Sequence, residues 1–291
     1  MELIECDALL KRPSPPHPED NNMAALQFGK AWHALARHRH AMIVAVCVLI
    51  AAGLFAAVME NVVHGDALAK ADVQAYNFLQ QFRTPGTDRL MVAMTELGDT
   101  LVVTLVTVSA AAWLAVKRAW QTALHLGVAV GGASAFNTAI KLLTQRARPV
   151  PDLYGSWSAF SFPSGHATVN AVLYGFLGFL VARHMRTAGR AGVAAAGLAW
   201  IGAVVLSRLY LGAHWLSDVA GSLAFALAWT VALGASHVAR RSQAFNPRAL
   251  AVVAGITLAL AGGFNVWHRH ELDMQRYGAR PEILPTIEIR W

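Results

Sequence analysis

Seven stretches of this chain are apolar for long enough to cross a bilayer, and that property restricts its fold more than any other. They fall at about 41–58, 100–116, 122–143, 167–183, 191–207, 216–237 and 249–266. Inside hydrocarbon no water is available to bond the backbone, so a spanning segment must close its own hydrogen bonds as a helix or join a closed barrel. A barrel would show short alternating segments, whereas these runs are continuous, so the expectation is an all-α polytopic membrane helix bundle. The composition agrees: 56% of the residues are hydrophobic and only 14% charged, with a mean hydropathy of +0.42. The run at 100–116 is the shortest in outline, and Leu90–Leu97 before it can lengthen that helix.

The first run begins too far from Met1 for a cleavable signal peptide and lacks a small-residue cleavage site, so it reads as a retained anchor. Cys6 lies in the leading tail and Cys47 inside the first span, a placement that implies no disulfide framework. A net charge of +7 could suit nucleic acid. The basic residues are instead distributed between the spans rather than gathered on one face, so no nucleic-acid partner is expected.

Their distribution orients the chain. With residues 1–40 cytoplasmic, the inner connections carry Lys117, Arg118, Arg183, Arg186, Arg190, Arg240, Arg241 and Arg248. The outer connections carry Lys70, Arg83, Arg89 and Arg146, besides three cations treated below, and Arg269, Arg276, Arg280 and Arg290 of the final tail count against the scheme. Positive-inside bias favours the inner N-terminus. A bacterial inner membrane is the expected location.

Four regions follow. Residues 1–40 form a cytoplasmic tail: 1–22 are proline-rich and read as disordered, and 23–40 can form a short amphipathic helix. Residues 41–240 form the membrane core, 241–266 an additional C-terminal span, and 267–291 an extended non-cytoplasmic tail. Within the core, 59–99 is too polar to span. Leu68, Val73, Tyr76, Leu79 and Phe82 recur at helical spacing and predict a helix along the interface, followed by a turn at Thr84-Pro85-Gly86 and a second helix capped by Thr87 or Asp88. Gly98-Asp99 marks a break before the second span.

Three clusters of charge interrupt this apolar pattern, each at the edge of a span, where charge is costly and points to function. Lys141 ends the third span, and Arg148-Pro149 follows in a loop. Alone, these would be an ordinary interfacial pair; as chemistry, lysine offers a compact charge and arginine a planar fork for two phosphate oxygens. Pro163-Ser164-Gly165-His166 precedes the fourth span: Ser164 can cap the helix, Gly165 lets backbone approach a ligand, and helix N-terminal amides favour an anion. Ser207-Arg208 ends the fifth span, Gly212 marks a tight turn, and His214 and Asp218 share one helical face. That carboxylate can accept a hydrogen bond from one imidazole nitrogen and raise the basicity of the other. The alternatives are a helix-start ion pair or a metal pair, but Lys141, Arg148 and Arg208 would repel a divalent cation, so neither metal nor other cofactor is expected. The spans alternate in direction so that all three clusters meet the same, outer interface.

Lys141…Arg148-Pro149, Pro163-Ser164-Gly165-His166 and Ser207-Arg208…His214…Asp218 together resemble the three-part signature of the type 2 phosphatidic acid phosphatase (PAP2) family, whose site is similar to those of glucose-6-phosphatase and vanadium-dependent haloperoxidases. The resemblance covers roughly residues 60–240, and no signature position departs from it. It implies a six-helix core, with the seventh span outside, and a metal-independent lipid phosphatase or pyrophosphatase acting on a lipid phosphate at the non-cytoplasmic face. By resemblance His214 is the nucleophile, forming a phosphohistidine; Asp218 orients it; and His166 is the general acid, then the base for water. Lys141, Arg148, Ser164, Gly165 and Arg208 hold the phosphoryl oxygens. Tyr154, Trp157, Phe160, Phe162, Tyr210 and Trp215 read as an interfacial aromatic belt. Two alternatives remain: a vanadate-dependent haloperoxidase-like enzyme, and a non-catalytic lipid-phosphate transporter or scaffold, for which the cations alone would suffice.

Overall fold

The computed structural model describes residues 18–64, 68–150, 153, 159–240 and 243–278. By internal contacts the chain divides into two units, Met1–Val46 and Cys47–Trp291. The described residues of the first unit belong to helix α1 (Pro18–His64), so residues 18–22 are helical rather than part of a disordered tail. Pro18, Glu19 and Asp20 suit a helix start, because proline fits the first turn and acidic residues complement the positive end of the dipole. The rest of the expected tail, 1–17, lies outside the described residues.

The remaining elements are α2 (Ala69–Gln80), α3 (Pro85–Leu97), α4 (Thr100–Val116), α5 (Trp120–Thr144), α6 (Gly165–Ala182), α7 (Thr187–Tyr210), α8 (Leu216–Ala239) and α9 (Pro247–Tyr277). No strand occurs among the described residues. Among the described residues seven helical segments are long and apolar enough to cross a membrane: Ala41–His64, Pro85–Val116 and the five helices α5 to α9. The second combines α3 and α4. It is broken where Gly98 ends α3 and the Asp99 carboxylate accepts from Leu101 N to start α4. A Cβ at Gly98 would stand 2.8 Å from Cγ1 of Val204, so the break also lets α7 approach closely.

Two local expectations are corrected. Thr84, not Thr87 or Asp88, caps α3: its hydroxyl accepts from Thr87 N at 3.2 Å while Thr87 Oγ1 accepts from Thr84 N at 3.0 Å. Pro85 has no N–H to satisfy and fits the first helical position, which moves the cap one residue ahead of it. The interfacial helix α2 buries Asp72, Val73 and Tyr76 and packs on α7 and α8. The C-terminal span does not stop at 266, since α9 continues to Tyr277 and makes the first part of the expected tail helical. Residues 279–291 lie outside the described ones.

Helix α6 occupies the centre. Of its most apolar stretch 56% is buried inside the protein, against 6% for the first span, and it packs on α4, α5, α7, α8 and α9. Val172, Leu173, Phe176 and Leu180 of α6 meet Val106 and Leu114 of α4 and Leu126 of α5 in the main apolar core. Large apolar side chains such as Leu49, Leu198, Leu260 and Trp267 remain exposed on the outside, where a bilayer would cover them. His166 therefore sits on the first turn of the most enclosed helix, and the site is built around that end.

Candidate active site

One cavity of about 290 Å³ is lined by Lys141, Arg148, Gly165, His166, Arg208 and His214. These come from the end of α5, the loop after it, the start of α6, the end of α7 and the loop before α8. Ser164 and Asp218, fully buried, stand behind its wall rather than in its lining.

Each part is positioned by local chemistry. Gly212 has a φ of +66°, favourable only for glycine, and a Cβ there would meet Val150 Cγ2 at 2.7 Å. This turn reverses the chain after α7 and presents His214. The Ser164 hydroxyl accepts from Ala167 N as the α6 cap, and its N–H donates to Ser222 Oγ at 2.8 Å. Asn137 Nδ2 donates to Pro163 O at 3.1 Å. The glycine-containing turn is thus bracketed from both α5 and α8.

The cations are oriented by neutral acceptors, which align a charge without cancelling it. Lys141 Nζ donates to Phe160 O at 2.5 Å. Arg148 donates to the carbonyls of Ala159, Phe160 and Ala213, and its Nη1 lies 3.2 Å from His214 Nε2. Arginine carries only donors, so Nε2 is the acceptor there and the proton of the neutral imidazole resides on Nδ1. Burial first, then the charges of Arg148, Lys141 and Arg208, hold the His214 pKa well below the usual histidine value. The imidazole is therefore neutral at neutral pH, its Nε2 unprotonated and accepting from Arg148. Histidine-selective 15N NMR of the substrate-free protein should place the His214 titration midpoint below about 6.5; a midpoint at or above that value would contradict the electrostatic account.

Asp218 is held more elaborately than its spacing implied. Its Oδ2 lies 3.4 Å from His214 Nδ1, an ion-pair distance without hydrogen-bond alignment, and accepts from Trp215 N at 2.9 Å. Its Oδ1 takes Arg146 Nη1 at 2.6 Å. Arg146 in turn binds Asp72 of α2 through Nη2 at 2.8 Å, and Asp72 accepts from Ser217 N and Oγ. Arg146, read from sequence as an outer-loop cation, is 8% exposed and forms the centre of a buried Asp72–Arg146–Asp218 network. No spacing pattern could reveal it. Asp99, read only as part of a helix break, also lines the cavity.

The aromatic belt is partly corrected. Phe162, Tyr210 and Trp215 are buried at 0%, 3% and 3% exposure. Trp215 donates to Ala147 O at 2.9 Å, and Tyr210 donates to Asp88 Oδ1 at 2.7 Å. Both polar tips find partners inside the protein, so neither needs an interface. Tyr154 and Trp157 lie outside the described residues. Among the described residues no group of three His, Cys, Asp or Glu side chains gathers as a metal site.

A membrane helix bundle with a cationic, histidine-bearing cavity at one end defines the class. Residues 122–244 match the PAP2 superfamily. The chain is 27% identical over 177 residues to phosphatidylglycerophosphatase B of Bacillus subtilis (strain 168), covering 60% of this chain and 87% of that protein. The crystal structure of a transmembrane PAP2-type phosphatidylglycerolphosphate phosphatase from Bacillus subtilis superposes with a TM-score of 0.57 at 25% identity. That match covers 69% of this chain and 98% of the other.

Proposed function

We propose that this protein is a membrane-embedded lipid phosphatase that hydrolyses a lipid phosphate through a phosphohistidine, with its site at the non-cytoplasmic face. The observation that carries the reading is the convergence of Lys141, Arg148, His166, Arg208 and His214 on one cavity, with His214 Nε2 held as an acceptor by Arg148. His214 Nε2 attacks phosphorus and the bond to the lipid oxygen breaks as His166 gives that oxygen its proton. Water, deprotonated by His166, then attacks the phosphohistidine and releases inorganic phosphate and neutral His214. Lys141, Arg148, Arg208 and the Gly165 amide stabilise charge on the three equatorial oxygens. Ser164 contributes through the helix cap that aims that amide, and Asp218 through the orientation of His214.

Among undecaprenyl diphosphate, phosphatidylglycerophosphate, phosphatidate and lipid A phosphate, the second is favoured by the name of the Bacillus relative. Purified protein assayed for phosphate release on that panel, in excess chelator, tests the reading. Turnover of at least one lipid is expected, and inertness toward all of them would overturn it. His166→Ala should slow an alkyl phosphate by roughly 10²–10⁴-fold but an activated aryl phosphate much less, since the latter leaves without a proton. Equal losses would remove His166 from the acid role.

Sidedness is supported by charge placement. Lys117, Arg118, Arg186, Arg190, Arg240 and Arg248 are exposed at the helix ends opposite the cavity; on the cavity side Arg83 and Arg146 are buried and ion-paired, leaving Lys70, Arg89 and Arg276 as the fewer exposed cations there. In a background lacking Cys6 and Cys47, Ala147→Cys should react with a membrane-impermeant thiol reagent added outside the inner membrane, and Thr187→Cys should not. The reverse pattern would move the chemistry to the cytoplasm.

A further inference from the structure

Among the described residues Arg208 is the largest fully enclosed side chain, at 1% exposure, yet it lines the cavity. A long side chain in such a place must be held, because an arginine free to change rotamer cannot present a fixed charge to a transition state. Two of its supports are visible. Nη1 donates to Thr95 Oγ1 of α3 and, at 3.2 Å, to the hydroxyl of Tyr277. The Tyr277 ring lies beneath the guanidinium, with Cζ 5.7 Å from its centroid.

Tyr277 is the last residue of α9, outside the 122–244 segment that matches the superfamily. Its own position is secured: it is 4% exposed, and its carbonyl accepts from Arg83 Nη2 at 2.5 Å. Arg83 is itself paired with Asp88 at 2.7 Å. The end of the seventh span is therefore clamped to the α2–α3 connection on one side and touches Arg208 on the other. α9 also packs along α3 and α4, and Asn265 Nδ2 donates to Glu96 O at 2.8 Å. The neighbouring helix that supplies Thr95 is thus fixed by the same element.

We infer that Tyr277 is a positioning residue for the phosphoryl-binding Arg208, so that the seventh span supports anion binding and turnover as well as the bundle. A hydroxyl and a ring face suit the task. Both orient a guanidinium and neither removes its charge, whereas a carboxylate in the same place would weaken its pull on a phosphoryl group. The inference rests on the phosphatase reading proposed above.

The test is a cycle of Tyr277→Phe, Arg208→Lys and the double variant, with Tyr277→Gln as a further variant that loses the ring but keeps an acceptor. Inhibition by vanadate and kcat/KM on the best lipid phosphate are measured on monodisperse protein. Tyr277→Phe is expected to raise the vanadate inhibition constant and lower kcat/KM by about three- to tenfold, and to change the Arg208→Lys protein by less than twofold, because partners that act through one another are non-additive. Tyr277→Gln is expected to bind vanadate more tightly than Tyr277→Phe. Equal effects of Tyr277→Phe in both backgrounds or unchanged vanadate inhibition would each reduce Tyr277 to a packing residue, and Phe outperforming Gln would overturn the part assigned to the hydroxyl. A wild-type protein inert toward every lipid would instead refute the functional reading, and calorimetric titration of the same variants with vanadate would still decide the role of Tyr277.

Discussion

His214→Ala is expected to lower kcat by about 10⁴-fold or more, to the level of the background reaction. On the proposed mechanism the substitution removes the atom that would bond to phosphorus and leaves Lys141, Arg148 and Arg208 to bind the anion, so substrate affinity should change far less than turnover. Asp218→Asn should retain more activity, because the imidazole stays in place with its Nδ1 facing a neutral amide. A rapid quench with radiolabelled substrate gives a direct reading: label on His214 in the wild type and none in the Ala variant. Substantial turnover by His214→Ala would sink the covalent mechanism while leaving the fold and the anion cavity intact.

The second large effect concerns stability. Arg146→Met would leave Asp72 and Asp218, exposed by 1% and 0%, facing each other without the guanidinium between them. Breaking a buried ion pair from one side costs about 3–5 kcal/mol. The expected outcome is a marked fall in the detergent melting temperature together with loss of activity, since Asp218 also lies against His214. Asp72→Asn combined with Arg146→Met should cost less than the sum of the two singles, because the second change removes part of the charge the first left unpaired. Strict additivity would mean that the network is not energetically coupled. A wild-type melting temperature for Arg146→Met would show that water or lipid reaches the site and screens the carboxylates.

These two predictions differ in origin. His214 was legible in the chain as written, because a histidine four residues before an aspartate, beside an arginine and a turn glycine at a span edge, is a local pattern. The spans were legible for the same reason: hydrocarbon solvates no backbone, so a long apolar run reports a helix without reference to any other part of the molecule. Gly98-Asp99 and Ser164 could likewise be read as helix boundaries, since capping uses groups two or three residues away.

The Asp72–Arg146–Asp218 network could not be read in that way. Arg146 and Asp72 are 74 positions apart, and Arg146 in the sequence is one more basic residue of a loop. Trp215 looks like an interfacial tryptophan until Ala147 O is found against its indole nitrogen. Tyr277 lies in what reads as a tail, 69 positions from Arg208. What the sequence by itself determined was therefore everything set by the solvent and by near neighbours: an all-helical bundle, its spans and the residue types gathered at one set of span ends. Only the tertiary structure decided which charges are balanced inside the protein and which are left to face the cavity. A charge's role depends on the partner brought to within about 3 Å of it, and folding chooses that partner from anywhere along the chain.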